Sequence, residues 1–118
     1  MRILAFDPGH STGFALIEDG KILMSGVIDY RLDCFGKLVD LANPDLVIVE
    51  DIPTMTVDRT TQEIFSTLKY MLADWIDFLI VKPGVWKPLR KAKNKNFIPH
   101  VQDAIGLAEY AERVSKDA

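Results

Sequence analysis

With 118 residues, 48% of them hydrophobic and 26% charged, the chain has the size of one domain with one modest core, and its composition excludes a disordered polymer. The single cysteine, Cys34, excludes an internal disulfide and fits a reducing compartment, and no apolar run approaches the ~18–20 residues needed to cross a bilayer. A net charge of −3 argues against a general nucleic-acid binder, and an opening that enters strand-like sequence without signal-peptide shape leads us to expect a cytoplasmic protein with no membrane partner.

Residues 2–7, RILAFD, form a nearly continuous apolar run, as a strand covered on both faces does, and Pro8-Gly9 turns the chain sharply after Asp7. GFALIED (13–19) alternates apolar with small or polar residues, Asp19-Gly20 is a strong two-residue hairpin signal, and KILMSGVID (21–29) returns as a third strand. Across 30–42, Leu32, Phe35, Leu38, Val39 and Leu41 recur at near-helical spacing until Asn43-Pro44 stops the pattern. DLVIVE (45–50) is a short buried strand that closes, like the first, on a carboxylate. The strongest helical pattern covers 59–78, with Ile64, Leu68, Met71, Leu72 and Trp75 on one side. Phe65 and Ile76 widen that stripe, which suggests a second face buried against a partner. DFLIVK (77–82) reads as a strand broken by Pro83-Gly84, and a last helix starts near Pro99 with Ala104, Leu107, Ala108 and Ala111 as its narrow packing face. The order β-β-β-α-β-α-β-α implies an α/β domain spanning 1–118. Its mixed sheet combines an antiparallel three-strand meander with two parallel strands and is flanked by helices.

Charge is unevenly distributed. Residues 82–95 hold Lys82, Lys87, Arg90, Lys91, Lys93 and Lys95 with no acid among them. Setting these six aside leaves 8 basic against 17 acidic residues, a balance of −9, so an acidic body carries one basic strip. Such a run is either a solvated loop or a phosphate-binding surface. Trp86, inside it, reads as core, with stacking on a base as the alternative.

Asp7 and Glu50 end two strands that a βαβ-type connection places side by side, and ligands of open α/β sheets bind beyond such strand ends. Strand alternation sends Leu46, Ile48 and Glu50 one way and Val47, Val49 and Asp51 the other, so only one of the neighbours Glu50 and Asp51 faces Asp7. His100 and Asp103, three residues apart, share a face near the start of the last helix. Each has an ordinary structural use: Asp7 as a turn former, Asp103 as a first-turn acid, His100 as a surface residue. Brought together they would repel unless hard divalent cations with oxygen ligands neutralised them.

The stretches DPGHSTGFAL, LVIVE, VKPGVWK and HVQDAIGLAEYA, in that order, resemble the four characteristic segments of the RuvC-type Holliday-junction resolvases, in the RNase H-like superfamily. The resemblance spans nearly the whole chain. It implies an endonuclease using two Mg²⁺ or Mn²⁺ ions and working as a homodimer on four-way junctions. Asp7, Glu50, His100 and Asp103 would form the metal site, with Lys87 near the scissile phosphate and the basic strip on DNA. Only 12 residues separate Lys87 from His100, where longer relatives carry an additional helix, so the chain looks like the compact, phage-encoded branch. The deletion bears on junction selectivity more than on cleavage chemistry and leaves forks and flaps as alternative substrates. The competing readings are a YqgF-like RNA-processing nuclease, against which VWK and HVQDA speak, and a branched-DNA binding module that has lost catalysis.

Overall fold

The computed structural model describes residues 1–9, 11–29, 32–51, 59, 62–63, 65–67, 70, 78–89 and 98–117. Five strands form one sheet: β1 (Arg2–Asp7), β2 (Ser11–Glu18), β3 (Lys21–Asp29), β4 (Leu46–Glu50) and β5 (Phe78–Val81). Their spatial order is β3-β2-β1-β4-β5, with β1 antiparallel to β2, β2 antiparallel to β3, and β4 parallel to both β1 and β5. This is the mixed α/β sheet that the element order implies. Helix α1 (Leu32–Ala42) links β3 to β4, a helical turn α2 (Pro83–Trp86) and a 3₁₀ turn (Lys87–Leu89) follow β5, and α3 (Pro99–Asp117) closes the fold.

Local chemistry sets the turns. Asp19 and Gly20 both take positive φ, 51° and 79°, as the tight hairpin between β2 and β3 requires. Asn43 adopts a left-handed φ of 46° at the end of α1, and its N–H reaches the Val39 carbonyl at 2.9 Å before Pro44 stops the helix. β2 begins at Ser11, two residues before the expected start at Gly13. The buried Thr12 hydroxyl explains the difference. It donates to the Gly9 carbonyl at 2.9 Å and accepts from the Gly9 N–H at 3.4 Å, closing the turn so that pairing resumes at once. Downstream, the expected break at Pro83-Gly84 is a helical turn, with Pro83 at its first position.

Alternation along β1 and β4 divides the core. Leu4, Phe6, Val47 and Val49 point to the α1 side, where they pack with Phe14, Leu16, Phe35, Leu38 and Val39. The Phe6 and Phe35 rings meet edge to face at 5.7 Å. Ile3, Ala5 and Ile48 point to the α3 side, onto Trp86, Leu107, Ala108 and Ala111. The small-residue face expected of the last helix is fully buried, Ala104 included. In the stretch 59–70 the described residues are helical and Phe65 is buried in the α1-side core, which accounts for one of the two residues assigned to a partner surface. Ile64, Leu68, Met71, Leu72, Trp75 and Ile76 lie outside the described residues, as do Arg90, Lys91, Lys93 and Lys95 of the basic strip. Among the described residues no helix is long and apolar enough to cross a membrane.

Candidate active site

The parallel strands β1, β4 and β5 deliver their chemistry at one edge. Asp7 ends β1 and Glu50 ends β4, one step beyond the Phe6–Val49 pair, and both belong to the alternation set that faces α3. Their carboxylates are buried, with exposures of 8% and 6%, although the backbone about them is strand and turn. Asp51 follows the opposite set, and its N–H closes onto the Val81 carbonyl at 2.8 Å, tying the end of β4 to β5.

The start of α3 lies directly against β2. Gly13 pairs with Asp7 across the sheet, and a Cβ at Gly13 would overlap the His100 carbonyl. Glycine there lets the helix backbone approach close enough for His100 Nδ1 to lie 3.3 Å from Asp7 Oδ2. One turn along α3, Asp103 carries a partly exposed carboxylate into the same region.

The cation among these acids is Lys87. Its ammonium lies 3.9 Å from Glu50 Oε2 and 3.9 Å from Asp103 Oδ2, and 5.8 Å from the centre of the Trp86 ring. Trp86 is wholly buried, which removes the base-stacking alternative, and its indole N–H donates to Glu50 Oε2 at 2.7 Å. Gly106 of α3 accommodates that indole: a Cβ at 106 would come within 2.8 Å of the ring carbon Cζ3. Lys82, by contrast, is exposed.

The electrostatics match this crowding. Glu50 is pushed up to about 7, first by burial and then by the Asp7 charge, against the opposing pull of Lys87 and the Trp86 hydrogen bond. Burial, then the Asp103 charge, raises the Asp7 carboxyl above its ordinary value, although His100 and Lys87 act the other way. Three carboxylates therefore feel one another, and two of them hold protons more tightly than usual. Among the described residues no three acidic or imidazole groups yet converge on a single point, and Lys87 supplies the compensating charge. The donor set fits a hard divalent cation: one imidazole with carboxylate oxygens whose mutual repulsion such an ion would relieve.

Asp7, Glu50, His100, Asp103 and Lys87 are thus brought together. Trp86 as a partner of Glu50, and the glycines that seat His100 and the indole, are additions from the structure. A glycine inside the helical pattern AIGLA was the one local sign of such close packing.

No family model and no curated protein matches the chain. Solved structures do. Thermus thermophilus RuvC in complex with a Holliday junction superposes with a TM-score of 0.81 at 14% identity, covering 100% of this chain and 96% of that one. The fold is that of RuvC. A second Thermus thermophilus RuvC structure gives 0.73 at 14% identity, with 98% and 97% covered. Fowlpox virus resolvase, solved with its Holliday junction substrate, gives 0.69 at 13% identity over 97% of this chain and 99% of that chain. RuvC and the viral resolvase thus share the five-strand mixed sheet and flanking helices described above.

Proposed function

We propose that the chain is a RuvC-type, divalent-metal-dependent endonuclease that cuts branched DNA, four-way junctions first among its substrates. One observation carries the reading. Asp7 and Glu50 end two parallel strands, and Asp103, His100 and Lys87 lie close enough to act on them, on a fold shared with two resolvases solved on Holliday junctions.

Asp7, Glu50, Asp103 and His100 would hold Mg²⁺ or Mn²⁺. Bound there, two such ions would activate water and stabilise the leaving oxygen of a phosphodiester. The chain's own groups prepare the place. Burial at the ends of β1 and β4 fixes the two deepest carboxylates and keeps bulk water from them. Contact with His100 restrains the Asp7 oxygen, and the close seat on Gly13 fixes where the His100 backbone lies. Half-buried Lys87 neutralises Glu50 and Asp103 until a ligand takes over that charge, which leaves its ammonium for a DNA phosphate. Lys82 and the cations that follow Lys87 in the sequence, at 90, 91, 93 and 95, would draw the DNA backbone toward an otherwise acidic protein.

We assign the whole of 1–118 to this one nuclease domain. Paired cuts in opposed strands require two such sites related by a two-fold axis, so the active species is a homodimer. The deciding assay incubates purified protein with Mg²⁺ or Mn²⁺ and labelled four-way junction, fork, flap, duplex and RNA. Symmetric incision of the junction is expected. Exclusive cutting of RNA, or cutting undiminished in EDTA, overturns the proposal. A dimeric mass by light scattering at tens of micromolar accompanies it.

A further inference from the structure

We infer that Trp86 is a positioning residue for Glu50, its indole N–H anchoring one carboxylate oxygen so that the other is held toward the acid cluster. The inference rests on the nuclease reading for its consequence, but its geometry is independent of that reading.

A buried tryptophan needs an acceptor for its N–H, and most acceptors in a protein are backbone carbonyls. Here the acceptor is the acid that ends β4, at 2.7 Å in a buried setting. That length is at the short end for an N–H···O bond, and with Glu50 ionised the bond is charge-assisted and stronger than a neutral one. It also opposes a specific force. Asp7 and Asp103 both repel the Glu50 carboxylate, and a donor fixed on one of its oxygens holds the side chain against that repulsion.

The indole is itself fixed. Trp86 closes the turn that starts at Pro83 immediately after β5, the parallel neighbour of β4, so its backbone is tied to the strand that Glu50 belongs to. Its ring is wholly buried against Gly106, where one methyl group would collide with it. Lys87 comes next in sequence and reaches the same Oε2 atom at 3.9 Å. One turn therefore supplies both the anchor and the counter-charge for Glu50. A residue chosen only to fill the core would need neither the N–H nor that partner.

The test is a double-mutant cycle read by Mn²⁺ binding calorimetry, with wild type, Trp86→Phe, Glu50→Gln and the double variant. Loss of a group that orients a ligand costs about 10–100-fold in metal affinity. Trp86→Phe should therefore weaken Mn²⁺ by at least about tenfold in the wild-type background and by almost nothing when Glu50 is already Gln. An equal loss in both backgrounds, or no loss in either, overturns the inference, because a core residue would act without regard to Glu50. A second measurement needs no Trp86 variant to fold: the indole N–H proton resonance of Trp86 in metal-free wild type should move upfield in Glu50→Gln as the charged acceptor is lost. An unmoved resonance overturns the anchor. Protein that binds Mn²⁺ and cuts junctions but fails the cycle refutes this inference alone. Protein that binds no Mn²⁺ refutes the nuclease reading, and the resonance still decides whether Trp86 holds Glu50.

Discussion

On the α1 side of the sheet, Leu4, Phe6, Val47 and Val49 stay apolar to the ends of β1 and β4, whereas on the α3 side Ile3, Ala5 and Ile48 give way to Asp7 and Glu50. Both sides are covered by helix and both bury aromatic rings. The α1 side gains only from packing and carries no electrostatic cost. The α3 side accepts mutual repulsion among acids, balanced by Lys87, His100 and one indole N–H. A single step along a strand thus separates residues that stabilise the fold from residues whose buried charges strain it.

The widest test of this contrast pairs one residue from each side. Phe35→Ala, in the α1-side core, should cost about 3–5 kcal/mol in urea unfolding. Asp7→Asn should leave stability unchanged or higher, because a repelled charge is removed, while abolishing cleavage and sparing junction binding. If Asp7→Asn still cuts, or Phe35→Ala unfolds no more readily than wild type, the division between the sides is wrong.

Next in size is the choice between neighbours at the end of β4. Glu50→Gln should lower single-turnover cleavage of a four-way junction by at least ~10²-fold, given what positioning and metal binding contribute. Asp51→Asn, on the other alternation set, should lose far less. The reverse ranking would transfer the role to Asp51.

The repulsion on the α3 side should also be visible without DNA. Glu50 titrates near 7 in the folded protein and near its ordinary 4.5 when unfolded. Between those values the folded state keeps a proton that the unfolded chain has released. The stabilisation tied to this group is therefore complete below about pH 4.5 and lost as pH rises through about 7. The difference reaches at most about 3–4 kcal/mol at ~1.4 kcal/mol per unit. Metal-free wild type should lose this stability between pH 5 and 8, Glu50→Gln should not, and Mg²⁺ should restore it. A wild-type curve parallel to that of Glu50→Gln would remove the electrostatic cost from the account.

Smallest per residue is the effect of the basic strip. Replacing Arg90, Lys91, Lys93 and Lys95 by Ala should flatten the salt dependence of DNA binding by about one unit of slope per lost phosphate contact. An unchanged slope would make the strip a solvated loop.

Local pattern carried most strand limits, the Asp19-Gly20 hairpin and the packing face of α3, because periodicity and turn chemistry depend on neighbours within a few residues. Alternation likewise suffices to assign Glu50 and Asp51 to opposite faces. Grouping Asp7 with Glu50, His100 and Asp103 drew on resemblance to a family as well as on the strand ends. The Trp86–Glu50 bond spans 36 residues, and Lys87 between Glu50 and Asp103 depends on how β5 and α3 dock. No local pattern encodes such meetings. The start of β2 was misjudged for a similar reason: a buried hydroxyl, not hydrophobic alternation, decides where pairing resumes after Gly9.

The contact between His100 and Asp7 joins positions 93 apart in the chain. A ribosome that has released β1 through β5 has therefore made a sheet with two of its acids in place, but without His100, Asp103 or the helix that covers that face. Contacts so distant in sequence form late, since the loop they close is costly until the rest of the fold supports it. On the nuclease reading proposed above, competence and completion of the core become one event: an unfinished or clipped chain lacking α3 would be harmless to DNA, and folding itself would act as the safety catch.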